Sequence, residues 1–191
     1  VQLGLGAAAL TKFCWCEVSS ASIVAVELSV DVIDAAHAWF CLPPDDARLN
    51  IVNADARKFI SHPRQRGLAD WLQVDLYDAA ARGPVYDDVA FYRACRKALR
   101  APGVASFNLF GARFDPSFAA IASAFDDRAL VLPEVDAGNR VVLAVVGPPL
   151  DVPFAALDRR ARELEARWNL KARGWVAGLR RANVFGASFE L

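Results

Sequence analysis

The chain has 191 residues, 55% of them hydrophobic, with 22 basic and 22 acidic side chains and a formal net charge of zero. That length suits one domain with a substantial core, and the balanced charge argues against the basic excess or stripe that a nucleic-acid binder presents. No apolar run is long and charge-free enough to span a bilayer, so the expected setting is the cytoplasm, with neither membrane nor nucleic acid as partner.

The chain opens on Val1-Gln2-Leu3-Gly4-Leu5-Gly6-Ala7-Ala8-Ala9-Leu10. This reads as a buried strand that breaks at Gly4 and Gly6 and turns into a helix. Glycines at such a break let the backbone approach a ligand closely. The new helix presents unpaired N–H groups at the same spot. Because Val1 already lies in a core strand, no signal peptide is expected and further chain is expected ahead of it. The first helix covers Leu10 to Cys16. Ile23 to Leu28 is the second strand. Its Glu27 stands about 20 residues past the glycines, where an acid suits the hydroxyls of a ribose.

After Asp31 comes a helix with apolar positions at Val32, Ile33, Ala36 and Phe40, ended by Pro43-Pro44. Arg48 to Asp55 is the third strand and Ala56 to Ile60 a short helix. A polar loop, His62 to Gly67, precedes the fourth strand, Ala69 to Asp75. Leu76 to Pro84 is an irregular loop. Asp87 and Asp88 open a helix, Val89 to Leu99, with Val89, Tyr92, Ala94, Cys95 and Leu99 inward. Pro102-Gly103 reads as a turn before the fifth strand, Val104 to Leu109, which Phe110-Gly111 closes. Ser117 to Phe125 is a helix. Ala129 to Val135 and Arg140 to Val146 flank a hairpin signal, Asp136-Ala137-Gly138-Asn139. Phe154 to Leu170 is an amphipathic helix. Its Arg159, Arg160, Arg162 and Arg167 interleave with Glu163 and Glu165 as a solvated face. Lys171 to Leu191 reads as a helix turn and a tail.

Strands and helices thus alternate five times before the antiparallel pair, which implies a parallel sheet with right-handed crossovers. The expected class is α/β: a Rossmann-like fold of the S-adenosylmethionine-dependent methyltransferase type. Its mostly parallel seven-stranded sheet ends in a C-terminal antiparallel hairpin. Residues 1–148 form the nucleoside-binding catalytic domain, and 149–191 a C-terminal helix and tail packed on it.

In open parallel sheets the ligand lies beyond the carboxyl ends of the strands. There the chain places Gly4 and Gly6, Glu27, Asp55 and Asp75. One reading makes the acids helix N-caps and loop solubilisers. The other assigns Glu27 to ribose hydroxyls, Asp55 to an adenine amino group and Asp75 to the reacting end. Asp75 and Asp78 are close enough to repel, so that one titrates high. Such a pair binds a cationic amine and accepts its proton; the alternative is an exposed polar loop. Tyr77 and Tyr86 either line the same pocket or pack. His37 is read as structural and His62 as solvated. The four cysteines, Cys14, Cys16, Cys41 and Cys95, match no zinc or redox spacing, so buried thiols and no metal are expected.

With these residues in place, the chain from Val1 to Pro148 resembles the spermidine synthase (polyamine aminopropyltransferase) family. The resemblance rests on Gly4-Leu5-Gly6, Val26-Glu27-Leu28, Ala54-Asp55-Ala56-Arg57-Lys58-Phe59, the Asp75-x-x-Asp78 loop, Pro102-Gly103-Val104 and Asn139 to Ala144. It implies decarboxylated S-adenosylmethionine, or S-adenosylmethionine, as co-substrate, held by Gly4, Leu5, Gly6, Glu27, Leu28, Asp55 and Ala56. It implies a small-molecule amine as acceptor, with Asp75 as the base and Asp78 holding the amine or the aminopropyl end. A homodimer is left open. The family's usual Gly-Gly-Gly-Asp-Gly turn is altered here: Ala7 stands where the acid that holds the aminopropyl ammonium would be, and Ala79 follows Asp78 in place of proline. The alternatives are a small-molecule methyltransferase using S-adenosylmethionine and a catalytically silent nucleoside-binding relative.

Overall fold

The computed structural model describes residues 1–78, 80, 82–110, 114–135, 138–183, 185–186 and 188–191. Its main sheet is built from β1 (Gln2–Leu3), β2 (Ile23–Glu27), β3 (Leu49–Asn53), β4 (Ala69–Val74), β5 (Leu99–Phe110), β6 (Ala129–Val131) and β7 (Asn139–Val146). The strands stand in the order β3-β2-β1-β4-β5-β7-β6. The first five are parallel, and β7 runs antiparallel between β5 and β6. This is the expected seven-stranded architecture. The order reverses on either side of β1, which opens a crevice at the carboxyl ends of β1 and β4.

Helices α1 (Ala9–Glu17) and α2 (Val30–Trp39) cover one face, and α3 (Ala56–Ser61), α4 (Val89–Ala98) and α5 (Phe114–Ala124) the other. Successive strand residues serve the two faces in turn. Ala25 joins the cluster of Leu5, Ala8, Cys14, Ala36 and Leu49. Its neighbour Val26 joins Leu3, Leu72, Phe91, Tyr92 and Phe107. Side-chain oxygens of Ser29, Asp55 and Asp88 accept from the first-turn N–H groups of α2, α3 and α4. These caps explain where the helices start.

Several sequence expectations need correction. Pro102-Gly103 does not reverse the chain, because β5 continues through it as a bulge. The β4–β5 pairing jumps from Ala69↔Leu99 to Trp71↔Val104. Phe40, expected inside, is 46% exposed at the end of α2. The strand expected over Ala129 to Val135 closes its ladder at Val131, ahead of Pro133, which has no N–H to give a ladder. Of the hairpin signal, Asp136 and Ala137 lie outside the described residues, as do Ala79 and Ala81 in the loop after β4 and Gly111 after β5.

The C-terminal segment is more ordered than a tail. Strand β8 (Asp151–Pro153) leads into α6 (Phe154–Trp168), then α7 (Ala172–Ala182), and β9 (Ser188–Glu190) pairs antiparallel with β8. Asn169, left-handed at φ 53°, ends α6. The buried residues of α7 are Ala172, Gly178 and Leu179, on the apolar side of a strongly amphipathic helix. Gly178 sits against Pro133, where a Cβ would lie 2.5 Å from the ring. The Asn183 side chain accepts from Val131 N at 3.0 Å and donates to Val131 O at 2.7 Å, satisfying the free edge of β6. Trp168 donates to Glu17 at 2.6 Å and packs edge-on against Phe13. No described helix is long and apolar enough to cross a membrane.

Burial also divides the thiols. Cys14 and Cys95 are buried, but Cys16 and Cys41 are exposed, contrary to expectation. Burial pushes the Cys14 and Cys95 thiols up, away from the reactive thiolate. A thiol reagent is therefore expected to label Cys16 and Cys41 within minutes in the native protein and the other pair only after denaturation. Fast labelling of Cys95 would contradict this core.

Candidate active site

The site begins where β1 runs into α1. Gly4, at φ +95°, donates its N–H to Val26 O at 2.9 Å. A Cβ there would lie 2.1 Å from the carbonyl oxygen of Asp75, so only glycine lets β1 and β4 end side by side. Gly6 is left-handed at φ +51°, with open space where its Cβ would be. Ala8 is left-handed as well and caps α1 without a side-chain bond, so the first-turn N–H groups of α1 remain available.

Glu27, at the end of β2, accepts from Leu5 N at 3.1 Å through one oxygen and from Ser29 N at 3.0 Å through the other. A carboxylate offers about four acceptor directions, so acceptor capacity remains on both oxygens. The carboxylate is thereby set before any ligand arrives, against the glycine turn. Asn53 fastens the loop beyond it, donating to Glu27 O at 3.0 Å and Leu28 O at 2.8 Å.

Asp55 is the cap of α3, accepting from Lys58 N at 2.8 Å. Its other oxygen accepts from the Tyr86 hydroxyl. These bonds, that of Tyr86 foremost, hold its carboxyl below the usual range. Arg57 lies over the Tyr86 ring at 4.5 Å and pairs with Asp88, which clamps this wall from behind. For Asp55 the two sequence readings are thus compatible: one carboxylate caps a helix and faces the cavity.

Asp75 follows β4, its N–H bonded to Leu3 O at 2.9 Å. Its Oδ1 accepts from Asn108 Nδ2 at 2.9 Å. The Tyr77 hydroxyl, first because of burial and then because of Asp75, is pushed up to about 12 and stays protonated. Asp78 differs from expectation. Its carboxylate accepts from Ala80 N and Arg82 N, both at 2.9 Å, and from the Arg82 guanidinium at 2.8 Å. These bonds hold Asp78 below the usual range, so it is not a carboxyl raised by its neighbour. Arg82, which the sequence reading passed over, screens it.

All nine residues named from the sequence line one cavity of about 760 Å³: Gly4, Leu5, Gly6, Glu27, Leu28, Asp55, Ala56, Asp75 and Asp78. Tyr77 and Tyr86 line it too, and so does Ala7. Gln2, Thr11 and Gln73, missed in the sequence, form its buried polar floor. Thr11 donates to Gln2 at 2.6 Å and Gln2 to Gln73 at 2.5 Å. Their signal was present as polar residues interrupting two apolar strands and the apolar first helix. His37 bonds the carbonyl of Leu42 at 3.0 Å, within its own connection. Among the described residues no three His, Cys, Asp or Glu side chains form a group that could hold a metal ion.

No protein-family model matches the chain. A polyamine aminopropyltransferase of Chromobacterium violaceum is 30% identical over 185 residues, covering 96% of this chain and 70% of the relative. The chain belongs to the polyamine aminopropyltransferase family. A Neisseria meningitidis polyamine aminopropyltransferase is 27% identical over 95% of this chain and 69% of its own length. Among solved structures, a spermidine synthase in complex with the transition-state analogue AdoDATO superposes with a TM-score of 0.65 at 22% identity over 76% of this chain. The chain spans about half of that synthase, 54%. Human methyltransferase-like protein 13, in complex with SAH, superposes with a TM-score of 0.70 at 20% identity over 97% of this chain and 83% of its own. These likenesses give this member of the family a methyltransferase-type fold.

Proposed function

We propose that this chain transfers an aminopropyl group from decarboxylated S-adenosylmethionine to a small amine, releasing methylthioadenosine. The observation that carries the reading is the order of polar groups along one cavity: Asp55, Glu27, the glycine turn and Asp75. The residues fit an adenosyl group. Asp55 is held ionised and accepts from an exocyclic amino group. Glu27 is preset, with acceptor capacity left for a vicinal diol. Leu28 and Ala56 supply the apolar edge between them.

The sulfonium of the co-substrate is already a good leaving group, so the protein must mainly align the partners and supply a neutral amine. Asp75 accepts the amine proton. The freed nitrogen lone pair forms the new C–N bond at the methylene beside sulfur, and the C–S pair returns to sulfur. Asp78, screened by Arg82, is a weaker anchor for a cation than an unpaired carboxylate and holds the amine at the rim.

Binding of three nucleosides tests the reading. Decarboxylated S-adenosylmethionine and methylthioadenosine are expected to bind at least about tenfold more tightly than S-adenosylmethionine, whose carboxylate would have to sit near Asp75. The uncharged Ala7 in the turn favours a second reading, methyl transfer from S-adenosylmethionine. Preference for the carboxylated form would establish that reading instead, and no binding of any of the three would mark a silent relative.

A further inference from the structure

Asp75 does not stand alone at the end of β4. Asn108, on β5, reaches across to it with Nδ2 at 2.9 Å from Asp75 Oδ1. The other end of that amide is also engaged: Asn108 Oδ1 accepts from Asn139 Nδ2, on β7, at 3.1 Å. The same Asn139 nitrogen donates its second hydrogen to the Tyr77 hydroxyl at 3.3 Å. Tyr77 in turn donates to the backbone carbonyl of Asn108 at 3.3 Å. An asparagine amide can flip, exchanging donor for acceptor. Here a flip would set two oxygens against each other at Asp75 and two N–H groups against each other at Asn139. Asn139, an N–H donor to both Tyr77 and Asn108, thus reinforces the orientation in which the Asn108 N–H faces the carboxylate.

We infer that Asn108 and Asn139 are positioning residues, a two-amide relay across β5 and β7 that fixes the Asp75 carboxylate so that Oδ2 is presented to the attacking amine. Each is half-buried, and neither makes a bond to the strand-end acids Glu27 or Asp55. The relay rests on the proposed base role of Asp75. It acts on geometry: the Asn108 N–H is aimed at Asp75 Oδ1. Its Oδ1 bond leaves Oδ2 as the acceptor for the amine proton. The antiparallel pairing of β5 and β7 places both amides at the same end of the sheet, Phe110 opposite Asn139 and Asn108 opposite Val141. A parallel sheet ending at β5 would have no strand to carry the second amide.

The test measures turnover and methylthioadenosine affinity for Asn108→Asp, Asn108→Leu, Asn139→Leu and the Asn108→Leu/Asn139→Leu double variant. Asn108→Asp keeps shape but sets a second carboxylate against Asp75, whereas Asn108→Leu removes the donor without adding charge. Turnover is expected to fall roughly ten- to hundredfold in each single variant, with methylthioadenosine affinity within about twofold of wild type. The double variant should be no slower than Asn108→Leu, because both changes break one chain of bonds. Unchanged turnover in Asn108→Asp, or multiplying losses in the double variant, would overturn the relay while leaving the aminopropyl reading intact. A wild-type protein that binds the nucleosides but turns over no amine would sink both together.

Discussion

Gly4→Ala is expected to destabilise the protein by roughly 2–6 kcal/mol and to abolish nucleoside binding. About 1–3 kcal/mol comes from holding a side-chain-bearing residue at strained positive φ. A further contribution of about 1–3 kcal/mol comes from forcing a methyl group into packed structure. The methyl would sit 2.1 Å from the Asp75 carbonyl oxygen, and backbone cannot rotate aside as a flexible side chain could. Either β1 and β4 separate, or the Gly4 turn is rebuilt. Both displace Leu5, whose N–H holds Glu27. Gly6→Ala, two residues on, has no atom within 4 Å of its new methyl. Only the left-handed backbone remains as a cost, about 1–2 kcal/mol. Thermal unfolding of the two variants, with methylthioadenosine titration, checks the contrast. Equal destabilisation would mean that the close approach of β1 to β4 is wrong.

Asp75→Asn is expected to reduce turnover at least about a hundredfold while leaving nucleoside affinity nearly unchanged. The substitution keeps the volume and removes the proton acceptor. Glu27, Asp55 and the glycine turn, which face the adenosyl half of the cavity, keep their own backbone bonds in the variant. An amide at position 75 that keeps its oxygen toward the Asn108 Nδ2 donor would present an NH2 donor to the amine in place of Oδ2. Raising the pH should restore part of the rate, because the free amine then forms in solution. Undiminished turnover would remove Asp75 from the mechanism and point to another acceptor.

Most of the candidate site was legible because its residues stand at the chain ends of strands. A glycine break, then acids closing the next strands, is a one-dimensional pattern, and the parallel topology brings those ends together without further information. Roles were less legible. Asp78 read as one of a repelling pair because spacing alone cannot show that Arg82, four residues on, would fold back onto it. Asp55 read as either cap or ligand because both use the same atoms.

The chain's own sequence determined the alternation of strands and helices, the glycine turn and the nine cavity residues, since each depends on hydrophobic period and on neighbours a few residues away. Tertiary structure alone decided why Gly4 must be glycine, what bonds Asp75, and that the last residues pair as a strand with β8. Those outcomes depend on partners distant in sequence. Gly4 is set by Asp75, Asp75 by Asn108, and Asn108 by Asn139. Gly178 of α7 sits on Pro133, and Asn183, just past the helix, bonds the edge of β6. A bond between groups that far apart leaves no local period in the chain, so it becomes visible only when the strands stand side by side.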